Sequence, residues 1–231
     1  MSINEFDYIW GYFYLSNILI KQSTSEDKYN EGMKILEKAF EKNKKPQYFE
    51  ISKKYCEELV KKNDSTYIEK AVVILNKLAE LYPEKVEIYY ILSKAYEKQN
   101  DIKKTIEILE KANKHREFFI NPDYLLSLGL AYEKNKEIKN AIEIFKTILN
   151  RNKEHIPSLT HLGRILLNLK KDKRALKYLN FALTLDDNNV IANFGVGKIL
   201  QEDEVEDRNK NLLVALKHYQ KVLSVDPKNH R

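Results

Sequence analysis

The residues with the most chemical potential in this sequence are few and scattered. There are five histidines, His115, His155, His161, His218 and His230. His155 and His161 stand six residues apart and bracket Pro157, so they do not share a helix face and make no metal pair. Five carboxylates crowd together at Glu202, Asp203, Glu204, Glu206 and Asp207. Their charge would suit a cation, but a solvated acidic loop is the plainer expectation. Cys56 is the one cysteine, which leaves neither an internal disulfide nor a cysteine-only metal site. Beside Tyr55 on a predicted helix, it reads as a buried, inert thiol. There is no Gly-rich phosphate loop, no GxSxG elbow, no HExxH and no CxxC. With no nucleophile–base pair in view, the expectation is a non-catalytic chain with no cofactor and no metal.

The elements that would position any site are organised by repetition. Residues 122–155 and 156–189 carry the same pattern twice. Leu128-Gly129 falls on Leu162-Gly163, Tyr132 on Leu166, Ala141 on Ala175, Phe145 on Leu179 and Ile148 on Ala182, an offset of 34 residues. A fixed period of this size signals a repeat architecture. The register continues outward through Gly197, and backward through Ser93, Ser52 and Ser16. Six repeats follow, near 9–45, 46–84, 86–119, 122–155, 156–189 and 190–228. Three run long: the first by about four residues, the second by about seven between Tyr55 and Ala71, and the last by about six between Leu200 and Ala215. These insertions are expected in turns at one edge of the stack, and the segment HREFFINP before Pro122 is expected as a loop.

Within each repeat, the apolar positions recur at helical spacing. In KNAIEIFKTILNR, residues Ala141, Ile142, Ile144, Phe145, Ile148 and Leu149 form one stripe. Helices of 12–15 residues, as predicted here, are marginal alone in water and must bury that stripe against neighbours. Glycine inside a helix costs roughly 1 kcal/mol relative to Ala, so Gly129, Gly163 and Gly197 require a compensating close contact between helices.

A Leu-Gly pair, a ring three residues on, then Ala, a bulky apolar residue and late prolines such as Pro83 and Pro227, repeated about every 34 residues, resembles the tetratricopeptide repeat. The resemblance covers nearly the whole chain and implies an all-α, right-handed α-solenoid of about six helix-turn-helix repeats, one domain across residues 1–231. It also implies that the first helix of each pair lines a concave groove in which partners bind. Carried over position by position, one groove row is Phe13, Phe49, Tyr90, Leu126, Thr160 and Phe194. One turn further on lie Asn17, Lys53, Lys94, Leu130, Arg164 and Lys198. The first row is largely aromatic and apolar and the second largely basic, which suits an extended or helical peptide with apolar and acidic groups. The competing reading has the aromatics packed inside the solenoid and the cations simply solvated. Some members of the family grip a chaperone's C-terminal carboxylate with Lys, Asn and Arg. Here Phe13, Glu50, Glu87 and Ile91 stand at those positions, and only Asn17 fits.

The 231 residues are 43% hydrophobic and 32% charged, a composition that can bury a core rather than stay disordered. The net charge of +6 invites a nucleic-acid reading, but Lys and Glu alternate along most helices, as in EKQNDIKKTIEILEKANK, which describes a solvated face. The apolar run 8–20 is too short to span a bilayer, and Glu5 and Asp7 stand where a secretory signal is basic. That run is expected as a buried first helix in a cytoplasmic chain, with a membrane-interface anchor as the alternative. The last helix has no polar capping helix after it, which implies a longer natural chain, or an uncapped C-terminal end covered by a partner or by self-association with a second copy. The functional expectation is an adaptor or assembly scaffold holding a protein or peptide. The alternatives are a peptide-sensing regulatory domain and, behind it, an RNA-binding helical-repeat protein.

Overall fold

The computed structural model describes residues 5–42, 49–202 and 208–225. Every regular element among them is a helix. In order these are α1 (Glu5–Lys21), α2 (Glu26–Lys42), α3 (Phe49–Lys61), α4 (Ser65–Leu81), α5 (Val86–Lys98), α6 (Ile102–Asn113), α7 (Arg116–Ile120), α8 (Pro122–Lys134), α9 (Ile138–Arg151), α10 (Ile156–Asn168), α11 (Asp172–Leu185), α12 (Val190–Glu202) and α13 (Arg208–Val225). They form two compact units, residues 1–117 and 118–231.

In the first unit α1 packs on α2, α3 on α4 and α5 on α6, each a hairpin of consecutive helices. The hairpins join where α2 meets α3 and α4 meets α5. The second unit repeats the scheme: hairpins α8–α9, α10–α11 and α12–α13, with joints at α9–α10 and α11–α12. The stripe read from the sequence is what these contacts bury. Ala141, Phe145, Ile148 and Leu149 of α9 are buried, as are Ala175, Leu179 and Ala182 of α11.

The recurring small residue has the packing role expected of it. A Cβ built on Gly163 would lie 2.5 Å from Leu179 Cδ2, and one on Gly129 2.7 Å from Phe145 Cε1. At Gly197 the nearest atom is Tyr219 Cε1, at 3.0 Å. Each glycine admits the large residue of its own hairpin's second helix.

Four hairpin turns, those after α3, α5, α8 and α10, rest on a left-handed residue, at Asn63, Asn100, Lys136 and Lys170, with φ of 55°, 57°, 63° and 56°. At three of them the next residue's N–H closes the end of the first helix, Asp101 to Tyr96 O (3.0 Å), Glu137 to Tyr132 O (2.9 Å) and Lys171 to Leu166 O (2.9 Å).

Three expectations change. HREFFINP is not simply a loop: α7 forms there because Phe118 is fully buried, with its ring 5.5 Å from Tyr124. The extra residues of the second repeat extend helices rather than a turn. Helix α4 spans 17 residues against 14 in α9, and starts at a cap in which Asp64 accepts from Thr66 N and Tyr67 N. Helix α1 is only partly buried. Ile9 and Ser16 are covered, while Tyr8, Tyr14, Leu15 and Ile18 are exposed. The insertion of the last repeat, most of the acidic cluster, Pro227 and His230 lie outside the described residues.

Candidate functional site

The predicted groove residues all sit on first helices, in differing surroundings. On α1, Phe13 and Asn17 are half-buried. Phe13 stands edge-on to Trp10 at 5.2 Å and packs against the core of Ile9, Ala39 and Ile51. On α3, Phe49 lies 5.4 Å from the Tyr82 ring and takes Lys53 Nζ over its face at 5.6 Å. Lys53 is also paired with Glu50 at 2.6 Å. On α5, Lys94 Nζ sits 5.4 Å over the Tyr90 ring and 3.0 Å from Glu97. Leu126 and Leu130 are half-buried on α8, whereas Thr160 is buried and donates to Pro157 O at 3.0 Å. The aromatic–cation spacing of four residues thus produces ring–cation pairs at Phe49–Lys53 and Tyr90–Lys94, within one helix each.

Three of the predicted residues come together in the second unit. Arg164 of α10 and Phe194 and Lys198 of α12 line one cleft of about 350 Å³. Its remaining wall is largely apolar: Leu167, Val190, Ile191 and Gly195, with Val222 contributed by α13. Phe194 is exposed, and its ring is 6.1 Å from Tyr219. The volume falls within the range of small ligand sites. Its rim cations already have acidic neighbours. Arg164 Nη2 donates to Glu133 Oε1 at 2.8 Å, and Lys198 is 4.0 Å from Glu202 Oε1. His161 stacks on Phe145 at 5.6 Å, and its Nδ1 lies 2.9 Å from Glu133 Oε2 and 3.1 Å from Arg164 Nη2. A ligand carboxylate would therefore draw Arg164 from a pre-existing cluster rather than meet a bare charge.

Sequence reasoning passed over a second, polar cleft of about 340 Å³ in the first unit, between α2, α3 and α4. There Tyr55 donates to Glu37 at 2.7 Å and Lys70 pairs with the same oxygen at 2.6 Å. The hydrogen bond from Lys70, followed by that from Tyr55, holds the Glu37 carboxyl below its ordinary pKa, and burial pushes the Tyr55 hydroxyl up to about 12. Nearby, Glu58 is almost fully buried and accepts from Lys54, Lys61 and Tyr29 at 2.7–2.9 Å. Burial opposes its charge, but these three donors outweigh burial and its pKa is lowered. The signal for this network is faint, because the sequence shows only charges scattered along three helices. Cys56 meets expectation: it is fully buried, and burial raises its thiol to about 12, far from the thiolate a nucleophile needs. Among the described residues no three His, Cys, Asp or Glu side chains gather as metal ligands. No described helix is long and apolar enough to cross a membrane.

Stacked helical hairpins with a small residue at each tight crossing define a helical-repeat protein, an all-α solenoid by class. The tetratricopeptide repeat model matches residues 86–114, 122–155 and 156–189, so this part of the chain carries three consecutive tetratricopeptide repeats in the register read from the sequence. No curated protein sequence matches it. Among solved structures it is similar to YrrB, described as a TPR protein with an unusual peptide-binding site, at 21% identity and a TM-score of 0.63, covering 84% of this chain and 93% of that one. It is similar to MamA of Desulfovibrio magneticus at 15% identity and a TM-score of 0.60, over 78% of this chain and 98% of that one. PilF of Pseudomonas aeruginosa gives 18% identity and a TM-score of 0.61, over 75% and 76%. At such identities the likeness is one of fold.

Proposed function

We propose that the chain is a non-catalytic protein–protein interaction module that holds a peptide segment of a partner as an adaptor or assembly scaffold, with its repeats acting as one solenoid domain. The observation that carries this reading is the cleft of Arg164, Phe194 and Lys198. An exposed aromatic over an apolar floor, flanked by two cations, suits a peptide that presents a bulky apolar side chain beside a carboxylate. The peptide-binding description of YrrB, a structural neighbour, agrees with that use of the fold.

The test is a peptide array of twelve-residue segments, varied in apolar and acidic content and probed with the wild-type chain. Hits would then be measured by fluorescence anisotropy against Phe194→Ala and Arg164→Glu. The expected result is enrichment of apolar–acidic segments and an affinity loss of about tenfold or more, since an anchor residue is worth on the order of 2 kcal/mol. Undiminished binding by both variants would sink the assignment to this cleft.

A further inference from the structure

We infer that the outer faces of α1 and α13 are two halves of one joint, through which copies of this chain associate head to tail.

In α2, α4, α9 and α11, one apolar residue follows the alanine or glycine of the repeat and another lies eight residues after that alanine or glycine, whereas α6 departs with Thr105 and Asn113. At α2 these are Met33 and Phe40, at α4 Val72 and Ala79, at α9 Ile142 and Leu149, and at α11 Leu176 and Leu183. All eight are buried or half-buried, and each of these helices meets the first helix of the next repeat. In α13 the same two positions are Leu216 and Leu223, which are 52% and 54% exposed.

First helices show the mirror image. The residue just before the shared Ser or Gly is Ile51 in α3, Leu92 in α5, Leu162 in α10 and Val196 in α12, and none is more than 3% exposed. Two residues after the shared position stand Lys54, Ala95, Ile165 and Ile199, all buried or half-buried. In α1 the corresponding residues are Leu15 and Ile18, exposed by 47% and 52%.

Four joints within the two units therefore cover both surfaces, while among the described residues these positions of α1 and α13 stay exposed. Each bare surface is apolar at these positions. The structure contains the partner for each: a second-helix face of the α13 type packs on a first-helix face of the α1 type at the α2–α3, α4–α5, α9–α10 and α11–α12 joints. A second copy supplies both faces in equal number. Because the two faces differ, the contact is heterologous, and it grows as an open chain unless the rotation closes a ring.

The experiment is sedimentation velocity over a wide concentration range on wild type, Ile18→Glu, Leu216→Glu and their equimolar mixture. Both substitutions are at exposed positions, and circular dichroism checks that the helices persist. Wild type is expected to exceed dimer mass as concentration rises. Each single variant should stay monomeric, because it keeps only one usable face. The mixture should give a species that stops at a dimer, the intact α13 face of Ile18→Glu docked on the intact α1 face of Leu216→Glu. A wild type that is monomeric throughout overturns the proposal, even if it then binds vesicles of anionic phospholipid through α1. Self-association of either variant at wild-type strength overturns it too, as does a mixture that remains monomeric. Phe194→Ala should leave the association unchanged, which separates this result from the fate of the peptide cleft.

Discussion

His155 shows how one side chain can give a repeat its pH response. It occupies the N-cap of α10, where Nδ1 accepts from Ser158 N at 3.3 Å, a role open only to the unprotonated nitrogen. Thirty-four residues to either side, Asn121 and Asn189 cap α8 and α12 with a side-chain oxygen that does not titrate in this range. Burial is the main influence on the His155 pKa and lowers it. Its stabilising contribution is therefore complete above the unfolded value near pH 6.5 and fades as pH falls through the folded one. The melting temperature should drop between pH 7 and 5, and His155→Asn should flatten that drop. His218, lowered by burial and then by Lys221, acts in the same direction. Parallel melting profiles for wild type and variant would refute the capping account. Gly163 is the other residue whose chemistry is set by its neighbour. Gly163→Leu should cost about 1–3 kcal/mol in urea unfolding, since even its Cβ meets Leu179. An unchanged midpoint would count against the close crossing.

At the scale of elements, the hairpin turns carry strain that the sequence disguises. Lys136 and Lys170 hold the left-handed conformation in which glycine is the easiest residue. Lys170→Gly should raise stability by a few tenths to about 1 kcal/mol, the relief of that conformation exceeding the added freedom of the unfolded chain. Lys170 also reaches Glu202 at 3.2 Å, but that pair is exposed and contributes little. Chemical denaturation of Lys170→Gly beside Lys170→Ala reads the backbone effect alone. A Lys170→Ala chain more stable than Lys170→Gly would mean that the turn is unstrained, because only the unfolded-state freedom of glycine would then separate them.

Across the whole molecule, identical register positions have unequal worth. Leu15 and Leu162 both precede the small residue of their first helix, yet Leu162 is fully buried and Leu15 is about half exposed. Leu162→Ala should cost about 2–5 kcal/mol. Leu15→Ala, measured at a dilution where copies separate, should cost well under half as much. Similar losses at the two sites would show that the α1 face is covered within a single chain, and would undercut the head-to-tail joint along with it.

The helices, the 34-residue period, the tight crossings and the burial of Cys56 are legible in the order of the residues alone. Each follows from local spacing or from the size of one residue, and the three repeats of 86–189 are those the tetratricopeptide model matches. That order also marked Arg164, Phe194 and Lys198 as facing one way, because first helices present the same positions in every repeat. Only the tertiary structure decided which of the marked residues meet. Phe13 is drawn into the packing of α1, Lys53 and Lys94 are engaged by Glu50 and Glu97, and a cleft forms around Phe194. The buried Glu58 network and the short helix at Phe118 were equally hidden, since each depends on side chains brought together from separate segments. Periodicity records which face of a helix is apolar, but whether a neighbour covers that face is decided in three dimensions, as Leu15, Ile18, Leu216 and Leu223 show.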